Sequence, residues 1–222
     1  MFDDGFKREE ECQKGIAYLS GRLKFMPMIP ALILILVAVA YRILMGLAII
    51  SGTTWLSNFA PLAAIALCGA VYFPPKLKFT VPLLALFLSD VVLNVYYGAP
   101  LFVPLMVCRY FALGLVGWIG LVIANRPSWT TLLSASLAGS TLFYLITNAF
   151  SWLSDPGYAK NFAGLIQALT VGLPAYGATP TWMFFRNSVV SDLFFTGLFV
   201  LCMNLVRSSE RARAASALPH TA

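Results

Sequence analysis

The chain returns again and again to long apolar runs, of which PALILILVAVAYRILMGLAII at 30–50, with Arg42 its one charge, is the first. The hydrocarbon core of a bilayer is about 30 Å thick, a distance that ~20 helical residues cross. Lipid offers no hydrogen bonds, so a segment inside it must satisfy its own backbone, as a helix or as part of a closed barrel. The length and continuous apolarity of these runs select helices. Composition agrees: 59% of the residues are hydrophobic and 11% charged, with a mean hydropathy of +0.81, whereas a soluble domain carries about 25% charged residues.

Proline and glycine punctuate the runs at Pro30, Pro61, Pro74-Pro75, Gly98 with Pro100, Pro127 and Pro156-Gly157. The pattern predicts an all-α polytopic membrane protein, a six-helix transmembrane bundle with spans at 31–50, 58–74, 79–97, 101–124, 130–152 and 186–206. Residues 1–27 form a charged N-terminal segment without the features of a cleavable signal. Within it, 13–25 places Ile16, Tyr18, Leu19 and Leu23 among basic residues, as a surface-lying amphipathic helix does. The transmembrane domain occupies 28–206, and 207–222 is a polar tail. Between the last two spans, 155–185 is too long and too apolar for a simple loop. Its middle, Asn161–Leu173, has helical spacing at a length that suits an interfacial or re-entrant segment.

Basic residues orient this arrangement. With the N-terminus in the cytoplasm, Lys7, Arg8, Lys14, Arg22, Lys24, Lys76, Lys78, Arg126, Arg207, Arg211 and Arg213 fall on the inner side, leaving Arg42, Arg109, Lys160 and Arg186 outside or in the outer half. Eleven against four is the positive-inside bias, and it puts both termini in the cytoplasm. The net charge of +6 is then loop charge, and no nucleic-acid partner is expected.

Intramembrane polar residues gather toward one side. LFLSDVVLN (86–94) and VVSDLFFT (189–196) each hold Ser-Asp followed four residues later by a small polar side chain. On antiparallel spans this places Asp90 and Asp192 at matched depth, about 10 Å below the outer boundary. Arg42, Arg109, Tyr110, Tyr144, Thr147, Asn148, Asn58, Arg186 and Asn187 fall in the same layer, while the inner halves are almost wholly Leu, Val, Ala, Phe and Gly. Isolated charges at such depth cost several kcal/mol, so pairing is expected, of Asp90 with Arg109 or Arg42 and of Asp192 with Arg186 or Arg42. Asp90, Asn94, Arg109, Asn148, Arg186, Asn187 and Asp192 are the candidate substrate-binding residues, within aromatic walls from Trp55, Tyr96, Tyr97, Trp152, Tyr158, Tyr176 and Trp182. The competing explanation is structural, with the same polar groups joining helices. Stripes of small residues (Ala60, Ala64 and Cys68; Gly114, Gly117 and Gly120; SASLAGS at 134–140) predict close helix packing.

Catalytic devices are not in evidence. His220 is the one histidine, and neither GxxxxGK[ST] nor GxGxxG occurs. Cys12, Cys68, Cys108 and Cys202 lack metal-binding spacing. Basic neighbours argue against a shared proton on the two aspartates, so no enzyme, metal or cofactor is expected.

NFAPLAAIALCGAVYF (58–73), PLLALFLSD (82–90), LFYLITNAFSWL (142–153) and FFRNSVVSDLFFTGLF (184–199) together resemble an uncharacterised family of bacterial inner-membrane proteins assigned to transport. The resemblance covers about 30–205 and implies an architecture similar to the substrate-binding S components of energy-coupling-factor vitamin transporters. Those are six-helix bundles with an outward-facing site, energised by a separate coupling subunit and ATPases. The expected function is therefore uptake of a small polar metabolite or vitamin across the bacterial cytoplasmic membrane. The alternatives are a solitary cobalamin transporter with Cys68 near cobalt, and a membrane scaffold whose polar layer is structural.

Overall fold

The structure, a computed structural model, describes residues 28–49, 59–177 and 179–216, and every regular element in them is helical. In chain order these are α1 (Met28–Ile49), α2 (Leu62–Tyr72), α3 (Thr80–Tyr97), α4 (Pro104–Ile123), α5 (Trp129–Ser154), α6 (Phe162–Leu169), a 3-10 turn (Pro174–Tyr176) and α7 (Thr181–Ser216). The 13–25 segment, Cys12, Trp55 and Asn58 lie outside the described residues.

Helices α1, α3, α4, α5 and α7 are long and apolar enough to cross a membrane. Their outer faces are hydrocarbon: Leu36, Val95, Val107, Trp118 and Leu205 are all more than half exposed. A soluble monomer does not display apolar surface on this scale, and these are the proportions of a multi-pass membrane protein.

The second predicted span, 58–74, is the departure. Its helix, α2, has only 11 residues, about 16 Å of rise. It is also the most enclosed element, with every residue from Ala63 to Ala70 buried. The five long helices stand around it in the order α3, α1, α7, α5, α4. A stripe of alanines with Cys68 and Gly69 permits this central position, since bulk on any face would push a neighbour away. A Cβ on Gly120 of α4 would lie 2.7 Å from the Leu67 carbonyl oxygen, and one on Gly69 would lie 2.1 Å from Cγ of Pro82. The small residues thus mark backbone approaches to α2, as expected for association in lipid.

Local signals set the helix ends. Ser128 caps α5 in a reciprocal capping box with Thr131. Gly98 ends α3 at φ 64°, the left-handed conformation that favours glycine. Pro104 opens α4, where its missing N–H costs nothing. The last helix is longer than predicted: α7 starts at Thr181 and runs 36 residues to Ser216, through much of the segment expected to be a tail.

Residues 155–180 hold one short helix. Asn161 caps α6 by accepting from the Gly164 N–H at 2.9 Å, and the helix ends after 8 residues, too short to cross. The segment is tied back to the bundle. Trp152 Nε1 donates to the Ala159 carbonyl at 2.9 Å, Tyr144 Oη to the Leu169 carbonyl at 2.5 Å, and the Trp182 N–H to the Thr170 carbonyl at 2.9 Å. Tyr158 is buried here, and burial together with the nearby Asp155 carboxylate raises the pKa of its hydroxyl.

Candidate functional site

A cavity of about 440 Å³ opens at one end of the bundle. Its walls come from the C-terminal halves of α1 (Arg42, Met45, Gly46), α3 (Leu93, Tyr97) and α5 (Phe143, Tyr144, Thr147, Asn148, Ser151). The opposite wall comes from the N-terminal ends of α4 (Leu105, Arg109) and α7 (Phe184, Ser188) and from Phe59, Ala60 and Leu62 at the start of α2. The six helices therefore alternate in direction around it. The start of α2 thus borders the cavity, through Phe59, Ala60 and Leu62.

Arg42 and Arg109 are the charged side chains of the lining. Arg42 is buried at 8% exposure and donates to Ser89 Oγ and to Asp90 Oδ1. Arg109 is more open, its side chain 33% exposed, with Nη1 3.6 Å from the same carboxylate oxygen. Tyr110 Oη donates to Asp90 Oδ2 at 2.7 Å, and Ser89 Oγ donates to the Leu86 carbonyl at 2.6 Å. Asp90 thus lies behind the cavity wall and neutralises one of two guanidiniums. The cluster carries one surplus positive charge, and the surplus sits on the exposed member, Arg109.

Asp192 has a different setting. It is 2% exposed and absent from the cavity lining. Oδ1 accepts from the Ala64 N–H at 2.9 Å and Oδ2 from Ser140 Oγ at 2.7 Å. Pro61, the residue before α2, has no side chain that can cap the helix. An acid from α7 supplies that cap instead, satisfying a donor at the positive end of a buried helix. One turn further along α7, Thr196 Oγ1 donates to Ser136 Oγ at 3.0 Å, so this echo of the α3 motif joins α7 to α2 and α5. The expected ion pair of Asp192 with Arg186 or Arg42 is not formed, because the α2 N-terminus and Ser140 already occupy both oxygens.

The remaining candidates divide. Asn148 lines the cavity while its Nδ2 donates to the Tyr144 carbonyl at 2.9 Å. Asn94 instead donates to the Pro100 carbonyl at 3.4 Å, outside the lining. Arg186 lies over the Trp182 ring at 5.7 Å and donates to Asn187 Oδ1 at 3.1 and 3.0 Å. Neither Arg186 nor the buried Asn187 reaches the cavity. Among the proposed aromatic walls, Tyr97 is present, its hydroxyl donating to the Gly46 carbonyl at 2.5 Å. The others that line the cavity are Phe59, Phe143, Tyr144 and Phe184. From 155–185, Phe184 is the contributor, and α6 packs on the flank of α5 rather than over the mouth. Cys68 is fully buried in α2 and does not line the cavity, so its thiol has no path to a ligand there.

Six polar residues of the lining are not among the seven expected substrate-binding residues: Arg42, Tyr97 (expected as an aromatic wall), Tyr144, Thr147, Ser151 and Ser188. Arg42 was legible as a deep charge, but only the α1–α3 pairing shows which acid it meets. No curated protein and no solved structure matches this chain. A family model matches residues 24–215, and the chain belongs to that family, DUF6580, a family of unknown function.

Proposed function

We propose that this chain is the substrate-binding membrane subunit of an uptake system, taking a small anionic metabolite into the bundle-end cavity. The observation that carries the reading is the surplus guanidinium: two arginines face the cavity, and one carboxylate stands behind them. Arg109 is the member left to meet a ligand, and a guanidinium pairs with a carboxylate through parallel N–H donors. Asn148, Ser188 and Tyr97 supply neutral polar contacts, and Phe143, Phe184 and Phe59 supply apolar wall. This mix of apolar lining and a few convergent polar groups is typical of small-molecule sites.

In this reading α2 counts as a sixth, shortened crossing and both termini are cytoplasmic. The basic-residue bias then turns the cavity outward in the bacterial cytoplasmic membrane. The sequence carries no nucleotide-binding motif, so transport draws its energy from a partner, in the manner of the coupling subunits and ATPases that serve S components. The scaffold reading keeps one specific support, the Asp192–Ser140–Thr196–Ser136 contacts, which bind helices and face no cavity.

The test is binding by the purified protein to a panel of small carboxylates, neutral analogues and amines, followed by ligand-dependent stabilisation. Carboxylates are expected to stabilise the wild type, and Arg109→Gln to weaken that response by about 10–100-fold, the worth of a charged hydrogen bond. Stabilisation by amines, or an unchanged response in Arg109→Gln, refutes the reading.

A further inference from the structure

Helices α3 and α4 are consecutive, yet they barely touch. α3 packs mainly on α1, and α4 packs on α2 and α5. The ring of long helices around α2 is therefore open at one seam. Beside this seam, across the lipid-facing side of α4, lies a second cavity of about 1400 Å³, an almost wholly apolar groove built mainly from α4 (Val107, Phe111) and α5 (Ile146, Ala149, Phe150), with Phe87 of α3 at its seam edge.

The same carboxylate stands between groove and inner cavity. Tyr110 lines the groove and donates to Asp90 Oδ2, while its neighbour Arg109 lines the inner cavity and faces Oδ1. At the far end the seam is closed by Phe79, which packs so tightly on Gly117 that a Cβ there would lie 2.5 Å from its ring. Between that plug and the cavity end, the contacts of Asp90 with Tyr110 and Arg109 bridge the seam.

We infer that this seam is a lateral entrance from the bilayer, and that the ligand is a carboxylate bearing one hydrocarbon chain, its head at Arg109 and Arg42 and its chain in the groove beyond Tyr110. The inference rests on the anion-binding reading above and narrows its substrate class. Charge selects the head: one surplus positive charge balances a monoanion, whereas a phosphate monoester of about −1.5 to −2 leaves the buried cluster negative. Position selects the chain, because the groove is continuous with the face that lipid covers. Hydrocarbon gains little by moving from lipid into an apolar groove, since tails are as apolar as leucine. The groove therefore guides and sorts by shape, and the head group supplies the affinity.

The test compares butyrate with dodecanoate on the full chain in nanodiscs, in the wild type, in Arg109→Gln and in Val107→Trp/Ala149→Trp, which fills the groove. Both acids are expected to bind the wild type and to lose affinity in Arg109→Gln. The filled groove should cost dodecanoate at least tenfold and leave butyrate unchanged. If neither acid binds the wild type, the anion-binding reading itself fails. If both bind and the filled groove affects them equally or not at all, the lateral entrance is wrong while that reading stands. A second measurement needs no substitution: Cys108 lines the groove, so dodecanoate but not butyrate should slow its reaction with a membrane-permeant thiol reagent, read at that peptide by mass spectrometry. Equal rates with the two acids overturn the proposal.

Discussion

Replacing Asp192 separates helix capping from ligand binding. In Asp192→Ala the Ala64 N–H loses its acceptor in a fully buried position, which costs about 1–3 kcal/mol. Loss of the negative charge at the α2 N-terminus adds about 0.3–2 kcal/mol. Ser140 is partly rescued, because its hydroxyl also reaches the Ser136 carbonyl at 2.9 Å. The sum is a loss of about 1–5 kcal/mol. Asp192→Asn keeps an acceptor oxygen for Ala64, loses the charge, and turns an amide donor toward Ser140, whose hydroxyl can accept from it while donating to the Ser136 carbonyl, so about 0.3–2 kcal/mol is expected. Denaturant unfolding in detergent, followed by far-UV circular dichroism, ranks the variants, and carboxylate binding is measured on the folded fraction. The expected order is wild type, then Asn, then Ala, with affinity unchanged in the Asn variant. A variant as stable as the wild type that has lost binding would place Asp192 in the site and refute the capping argument.

The packing sets four further outcomes. Asp90→Ala leaves the Arg42 guanidinium buried without its partner, so a loss of about 3–5 kcal/mol is expected, and Arg42→Met in the same chain should restore part of it in the same unfolding assay. Gly120→Val brings a side chain against the Leu67 carbonyl and should cost about 1–3 kcal/mol. Gly114→Ala, where nothing lies within 4 Å, should be neutral by the same measurement. Tyr144→Phe removes the bond to the Leu169 carbonyl, worth about 1 kcal/mol, so limited proteolysis within 155–180 should quicken by about fivefold while global stability changes little.

Much of this architecture is readable from residue order alone, because lipid imposes simple rules on length and polarity. The five long helices fall where the apolar runs predict. Gly120 and the alanines of α2 are the small residues where backbones meet. The length of α2 was not readable, since the 58–74 run has the apolarity of any other span while its helix covers only Leu62–Tyr72. Nor could the paired Ser-Asp motifs be told apart. Both acids are buried, but Asp90 meets two arginines across the α1–α3–α4 junction, whereas Asp192 meets a helix N-terminus. A linear pattern records the acid and not its partner. Arg186 misled for the same reason, its position at the head of the last span saying nothing of the Trp182 ring that holds it.

The central claim is that Arg109 is a positive charge left over for a ligand. Equilibrium binding of one small carboxylate to the purified wild type and to Arg109→Gln, across a salt series, examines it most directly. Binding that weakens with salt in the wild type, and by about 10–100-fold in the variant, is the predicted result. Equal affinity in both proteins, at any salt concentration, would contradict it.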